Sequence, residues 1–186
     1  MSKRKLIVLL LALCVAAMCC AALFGCDGGS SYCVLEAEQA VCEPSYLSSQ
    51  AVITRSNTHS EYMTSNGKYV GGMYKGATVT WFFTAERQTS CQLTLVVANS
   101  VESSSGFDVG DGSVFGVTFN DNIVALPNAF VSQGTQYGDC WEEVSLGTFR
   151  ARPGVNKVVF TALSDEQRLN IDYLRVSDAG AEVKEH

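Results

Sequence analysis

Histidine is nearly absent from the chain: two of 186 residues, His59 and His186. A metal site built from several imidazoles is therefore excluded. Any reaction needing a histidine would rest on His59, inside the polar run Thr54 to Ser60. Positive charge is scarce as well. Lys and Arg number 13 against 19 Asp and Glu, a net charge of −6. Such a chain does not track a phosphate backbone, so nucleic acid is not an expected partner. Catalytic signatures are missing: there is no Gly-x-Ser-x-Gly elbow, no His-Glu-x-x-His and no phosphate loop. Glu142-Glu143 beside Trp141 is the most tempting carboxylate pair. Adjacent strand residues point to opposite faces, so the two would not converge on one bond. An enzyme is not expected.

Cysteine and apolar residues, by contrast, are plentiful: eight Cys, and 47% hydrophobic overall. Both figures average two unlike regions. Lys3, Arg4 and Lys5 precede an uncharged run from Leu6 to Phe24. A basic cluster, an apolar stretch and small residues form a secretory signal. The run is also long enough to span a bilayer, which leaves an uncleaved anchor as the alternative. Leu23-Phe24-Gly25-Cys26 resembles the lipobox of bacterial lipoproteins. That resemblance implies a signal peptide over 1–25, a lipid on Cys26, and a domain held to the membrane on its extracytoplasmic face. Without Lys3, Arg4 and Lys5, 10 basic residues face 19 acidic ones, a net charge of −9. Cys33, Cys42, Cys91 and Cys140 remain, compatible with two disulfides in any of three connectivities.

Residues 26–32 read as a flexible Gly- and Ser-containing tether. A domain is expected over 33–178, followed by a polar tail over 179–186. No segment beyond the signal holds a 3.6-residue apolar period, and no internal repeat is present. Short two-residue alternations dominate instead. Val79, Trp81 and Phe83 share one face; so do Leu93, Leu95 and Val97, and Phe115, Val117 and Phe119. Similar runs occur at Val34–Gln39, Ala51–Arg55, Tyr69–Met73, Ile123–Leu126, Glu143–Phe149, Asn156–Ala162 and Leu169–Val176. Asn66-Gly67, Asn120-Asp121-Asn122 and Pro153-Gly154 supply turns between them. Many short strands without helices predict an all-β sandwich or barrel.

Two carboxylate features stand out. Glu36 and Glu38 lie two apart on an expected strand, hence on one face about 7 Å apart. They either face water or share a cation, and hard cations such as Ca²⁺ take oxygen ligands of this kind. Asp172 shares a face with Leu174 and Val176, so it needs a partner, a basic side chain or a metal. Asp108-Val109-Gly110-Asp111-Gly112 lacks the spacing of an EF-hand and reads as a solvated turn.

A series of segments in order resembles carbohydrate-binding modules of families 6 and 35: Leu35-Glu36-Ala37-Glu38, Lys68 to Met73, Gly76 to Trp81, Leu93 to Asn99, Val117 to Asn120, Trp141, Pro153 to Val158, and Asn170 to Leu174. The resemblance implies a jelly-roll β-sandwich of two antiparallel sheets with a structural Ca²⁺. Its ligands would be Glu36, Glu38 and Asp172, completed by backbone carbonyls of Tyr62–Lys68. It also implies a glycan site in the loops at one end, formed by Trp141, Asn170 and Tyr74. Aromatic faces stack on sugar rings, and an amide both donates to and accepts from hydroxyls. For Trp141 the alternative is core packing; Tyr69, Tyr62 and Tyr137 compete with Tyr74. Lys75 and Arg168 would pair with an acidic sugar or simply be solvated. The resemblance further suggests Cys33–Cys91 and Cys42–Cys140 bridges. The expectation is a monomeric, non-catalytic glycan-binding lipoprotein. Its rival is an adhesin-like or structural module of the same fold without sugar binding.

Overall fold

The computed structural model describes residues 32–44, 64–65, 68–99, 106–132, 141–165, 168–178 and 183–185. The signal segment, Cys26, Ala51–Arg55, Tyr62, Tyr137 and Cys140 lie outside these residues. The strands in chain order are β1 (Tyr32–Glu36), β2 (Val41–Glu43), β3 (Val70–Met73), β4 (Thr78–Ala85), β5 (Thr89–Asn99), β6 (Phe107–Asp108), β7 (Phe115–Phe119), β8 (Asn122–Ile123), β9 (Phe130–Val131), β10 (Glu142–Ala151), β11 (Gly154–Ala162), β12 (Leu169–Asp178) and β13 (Val183–Glu185).

They form a jelly-roll sandwich of two antiparallel sheets. One runs β1-β12-β5-β10, with β3 also on β12; the other runs β13-β4-β11-β7-β8, with β2 also on β4. A separate ribbon pairs β6 with β9. Alternation sets the faces. In β4, Val79, Trp81, Phe83 and Ala85 are buried while the residues between them are half-exposed. Within one sheet Phe115 of β7 meets Phe160 of β11 at 4.7 Å, and between the sheets Phe119 of β7 meets Phe149 of β10 at 5.0 Å. Ring pairs of this kind contribute beyond their buried area.

One buried amide fixes a whole end of the sandwich. Asn156 is fully buried on β11. Its Nδ2 donates to the carbonyls of Arg152 (2.9 Å) and Gly154 (3.0 Å). Its Oδ1 accepts from the Arg152 N–H (3.0 Å) and from Asn120 Nδ2 (2.9 Å). Asn120 Oδ1 in turn accepts from the Lys157 N–H at 2.9 Å. Asn120 and Asp121 have φ of 49° and 68°. These left-handed values suit the tight β7–β8 turn, and Asn and Asp tolerate them better than most side chains.

Several expectations need correction. The strand run at 34–39 stops at Glu36, and Ala37–Gln39 form a 3-10 turn. Glu36 and Glu38 are therefore not two steps along one strand face. The turn buries Ala37 completely. The segment 179–186 is not only a tail, because Val183–Glu185 pair with Ala85, Thr84 and Phe83 of β4. The expected Cys33–Cys91 bridge does not form. Cys33 faces Val176 on β12, while Cys91 faces Asp178 on the other side of that strand. Two interstrand spacings, about 10 Å, separate them, and a disulfide needs Cα atoms within about 7 Å. No two of Cys33, Cys42 and Cys91 are bridged. Cys42 is buried, its thiol directed at the carbonyls of Ala37 and Ala40, both at 3.8 Å. Burial pushes that thiol's pKa up.

Candidate functional site

β12 organises the candidate site. One of its edges pairs with β5, opposite Leu169–Ile171 and Leu174–Asp178. The other is divided between β3, opposite Leu169–Ile171, and β1, opposite Tyr173–Ser177. Asp172 stands at the junction. A bulge between Ile171 and Leu174 interrupts the pairing with β5 there, while Asp172, Leu174 and Val176 are all buried and the residues between them half-buried.

At the junction the chain assembles oxygens. Asp172 is 2% exposed. Its Oδ2 accepts from the Ser65 N–H at 2.9 Å and its Oδ1 from the Ser65 hydroxyl at 3.2 Å. The same hydroxyl is 2.7 Å from Glu36 Oε2. Glu38 follows on the 3-10 turn, with Oε2 buried. Burial pushes the Asp172 carboxyl up to about 6; the Ser65 bonds pull it down, and Glu36 and Glu38 push it up further. Such a site stores unfavourable charge that a cation would relieve. The all-oxygen donor set has the chemistry of a hard-cation site. Among the described residues, however, no three His, Cys, Asp or Glu side chains gather closely enough to hold a metal. Ser65 fills the space between Glu36 and Asp172. The family resemblance implies carbonyls from Tyr62–Lys68, of which residues 62, 63, 66 and 67 lie outside the described residues; Ser65 meets Asp172 with its side chain and N–H.

Two residues earlier on β12, Asn170 is 4% exposed and faces Ala98 of β5. Trp141 immediately precedes β10, whose Glu142 and Glu143 face Val97 and Val96. By alternation Trp141 and Asn170 share the outer face of this sheet, two strand spacings apart, about 10 Å. Ala98, fully buried, makes a small floor between them. Tyr69, just before β3, closes the arrangement. Its ring meets Trp141 edge-on, centroids 5.3 Å apart at 67°. A Cβ on Gly71 would lie 2.9 Å from Tyr69 Cε2 and 3.4 Å from Asn170 Oδ1, so the glycine allows ring and amide to settle onto β3.

The structure thus brings together Trp141, Asn170 and Tyr69. Tyr74 instead lies in the β3–β4 turn, half-buried and packed against the core, its carbonyl accepting from the Ala77 N–H at 2.9 Å. By sequence Tyr69 is only a competitor for this role, since nothing local shows that the ring before β3 turns towards Trp141. Lys75 and Arg168 are both exposed near the β3–β12 pairing, and the Lys75 N–H donates to Asp165 at 3.0 Å. The adjacent carboxylates diverge: Glu142 Oε2 accepts from the Ser132 N–H at 3.0 Å, while Glu143 takes Arg175 in a two-pronged pair at 2.7 and 2.6 Å. Asp108 Oδ1 is occupied by the N–H groups of Gly110 (2.8 Å) and Ala129 (3.2 Å).

No protein-family model matches the chain, and no curated protein does. Solved structures do. A family 35 carbohydrate-binding module from Clostridium thermocellum superposes with a TM-score of 0.56 at 23% identity, covering 79% of this chain and 98% of that one. The fold is that of family 35 carbohydrate-binding modules. A family 35 module of Abf62 from Cellvibrio japonicus gives 0.52 at 22% identity, covering 83% and 97%. A third, Xyl-CBM35 in complex with a glucuronic acid-containing disaccharide, gives 0.50 at 22%, covering 82% and 96%. In each case the two chains match over most of their lengths.

Proposed function

We propose that this chain is a non-catalytic glycan-binding domain. The observation that carries the reading is the convergence of two aromatic rings, Tyr69 and Trp141, on the Asn170 amide at one end of this fold. The rings offer apolar faces to a pyranose, and the buried amide is fixed by its strand to meet hydroxyls. Lys75 and Arg168, exposed beside β12, suit an acidic sugar. The neighbour that holds a glucuronic acid-containing disaccharide supports that class.

Ca²⁺ belongs to the same reading. Glu36, Glu38 and Asp172 would hold it, and the ion would neutralise the charge crowded at the β1–β3 junction. It would thereby brace the strand that presents Asn170. A lipid on Cys26 would tether the domain outside the cytoplasmic membrane, as the Leu23-Phe24-Gly25-Cys26 segment suggests.

A glycan array probed with the intact, calcium-loaded protein tests this. The expected result is saturable binding to one glycan class, weakened by Trp141→Ala. A well-folded protein that binds no glycan would reject it. That outcome would select the second reading, a protein-interaction module. An apolar groove of about 440 Å³ favours this alternative. Ile123, 90% exposed, and Phe149 line it, away from Trp141.

A further inference from the structure

Phe130 is an aromatic platform outside the Tyr69–Trp141 pair. It is 68% exposed, while its neighbour Val131 is 1% exposed. An isolated exposed hydrophobic residue is ordinary. Phe130 differs in how it is held. It sits on the β6–β9 ribbon opposite Asp108. The ribbon is anchored by buried Phe107, which packs edge-on against Phe115 at 6.2 Å. It is further fixed by the Val109 N–H to the Ala129 carbonyl at 2.8 Å. The Phe130 ring is backed by Gly106: a Cβ there would fall 2.3 Å from Cζ and 2.7 Å from Cε1. Gly106 therefore gives the ring a seat that no other residue would leave open.

The ribbon is also tied to β10, at the end of that strand where Trp141 lies. Two residues beyond Phe130, the Ser132 N–H donates to Glu142 at 3.0 Å, and Glu142 adjoins Trp141. Chain geometry then keeps Phe130 and Trp141 within about 20 Å, the reach of a short oligosaccharide. Neither ring covers the other, since Trp141 packs on Tyr69 and Phe130 on Gly106.

We propose that Phe130 is a second stacking position for the same glycan, so that the domain grips an oligosaccharide at two places instead of a single sugar ring. This rests on the glycan-binding reading above. It assigns Phe130 a contact with a ring remote from the one held by Trp141 and Asn170. A rigid, pre-seated ring loses little freedom on binding, which is what a useful contact requires.

The test uses the intact protein on an array of length-graded oligosaccharides, monosaccharide to hexasaccharide, of xylan, mannan, galactan and glucuronic acid-containing glycans. Wild type should bind longer members more tightly than the shortest one it recognises. Phe130→Ala should weaken the longer members by about 3- to 10-fold, the size of an aromatic stacking contact, and leave the shortest unchanged. Phe130→Trp should keep the length dependence, and Trp141→Ala should weaken every length. If wild type binds but Phe130→Ala alters all lengths equally, or none, the second position is refuted while the glycan-binding reading stands. A Phe130→Ala protein that loses only self-association would refute it likewise, assigning the ring to a contact between copies. If wild type binds nothing on the array, both readings fall together.

Discussion

Two ends of the sandwich bury polar side chains in opposite ways. At one end Asn156, fully buried, makes four hydrogen bonds that join the β10–β11 turn to the β7–β8 turn. Every partner belongs to the fold. At the other, Asp172 is almost as deeply buried, yet two of its neighbours are carboxylates and its pKa is pushed up to about 6. The first arrangement is complete in itself and stabilises the fold. The second is costly in isolation, and such cost clusters where proteins meet ions and ligands. Burial alone does not separate structural polar groups from functional ones; how completely the protein itself satisfies them does.

Substitution at the complete end should do the most damage. Asn156→Ala orphans backbone groups of Arg152 and Gly154 and should cost about 2–4 kcal/mol of stability, read by denaturant unfolding. The folded fraction should bind glycan normally. A loss below about 0.5 kcal/mol would show that water replaces the amide.

Calcium should show the contrast from the other side. Removing it with a chelator should lower the melting temperature of wild type, because a ligand of the native state alone stabilises by about 2.7 kcal/mol at a hundred times its Kd. The chelator should leave Asp172→Asn and Glu38→Ala unmoved. An unchanged wild-type melting temperature would mean that no structural calcium is bound.

The raised Asp172 pKa gives a smaller effect with a defined sign. In the folded, calcium-free chain this carboxyl holds its proton to about pH 6, against an ordinary value of 3.8. Its contribution to stability is therefore fully present below the unfolded value and lost as pH rises through about 6. With chelator present, Asp172→Asn should match wild type near pH 4 and exceed it near neutrality. Wild type the more stable at neutral pH would contradict the crowding of charge. The smallest effect is expected at the exposed Arg175–Glu143 pair, where Arg175→Ala should cost about 1 kcal/mol or less.

Much of the fold is legible in the residues. The long alternating strands are, because two-residue periodicity sustained over a run such as Thr78–Ala85 suits an extended strand and not a helix. The two-residue strands Phe107–Asp108 and Phe130–Val131 are not, since neither is long enough to show a period. The neighbourhood of Asp172 and Glu36 follows from pairing the opening and closing strands. The bulge beside Asp172, and the Ser65 that meets its carboxylate, depend on register and on contacts more than a hundred residues apart along the chain. Local patterning carries no trace of these. Tyr69 and Tyr74 differ in the same way: the sequence offers two rings flanking one strand, and only packing shows which reaches Trp141.

The central claim is that the Tyr69–Trp141–Asn170 end binds sugar. Calorimetric titration of the intact protein with its array-selected oligosaccharide, beside Trp141→Ala at matched calcium, tests it most directly. Wild type should bind saturably, and the variant should lose affinity by roughly 30-fold or more, the scale of an aromatic hot spot, with the melting temperature unchanged. Equal affinity in the two proteins would contradict the claim.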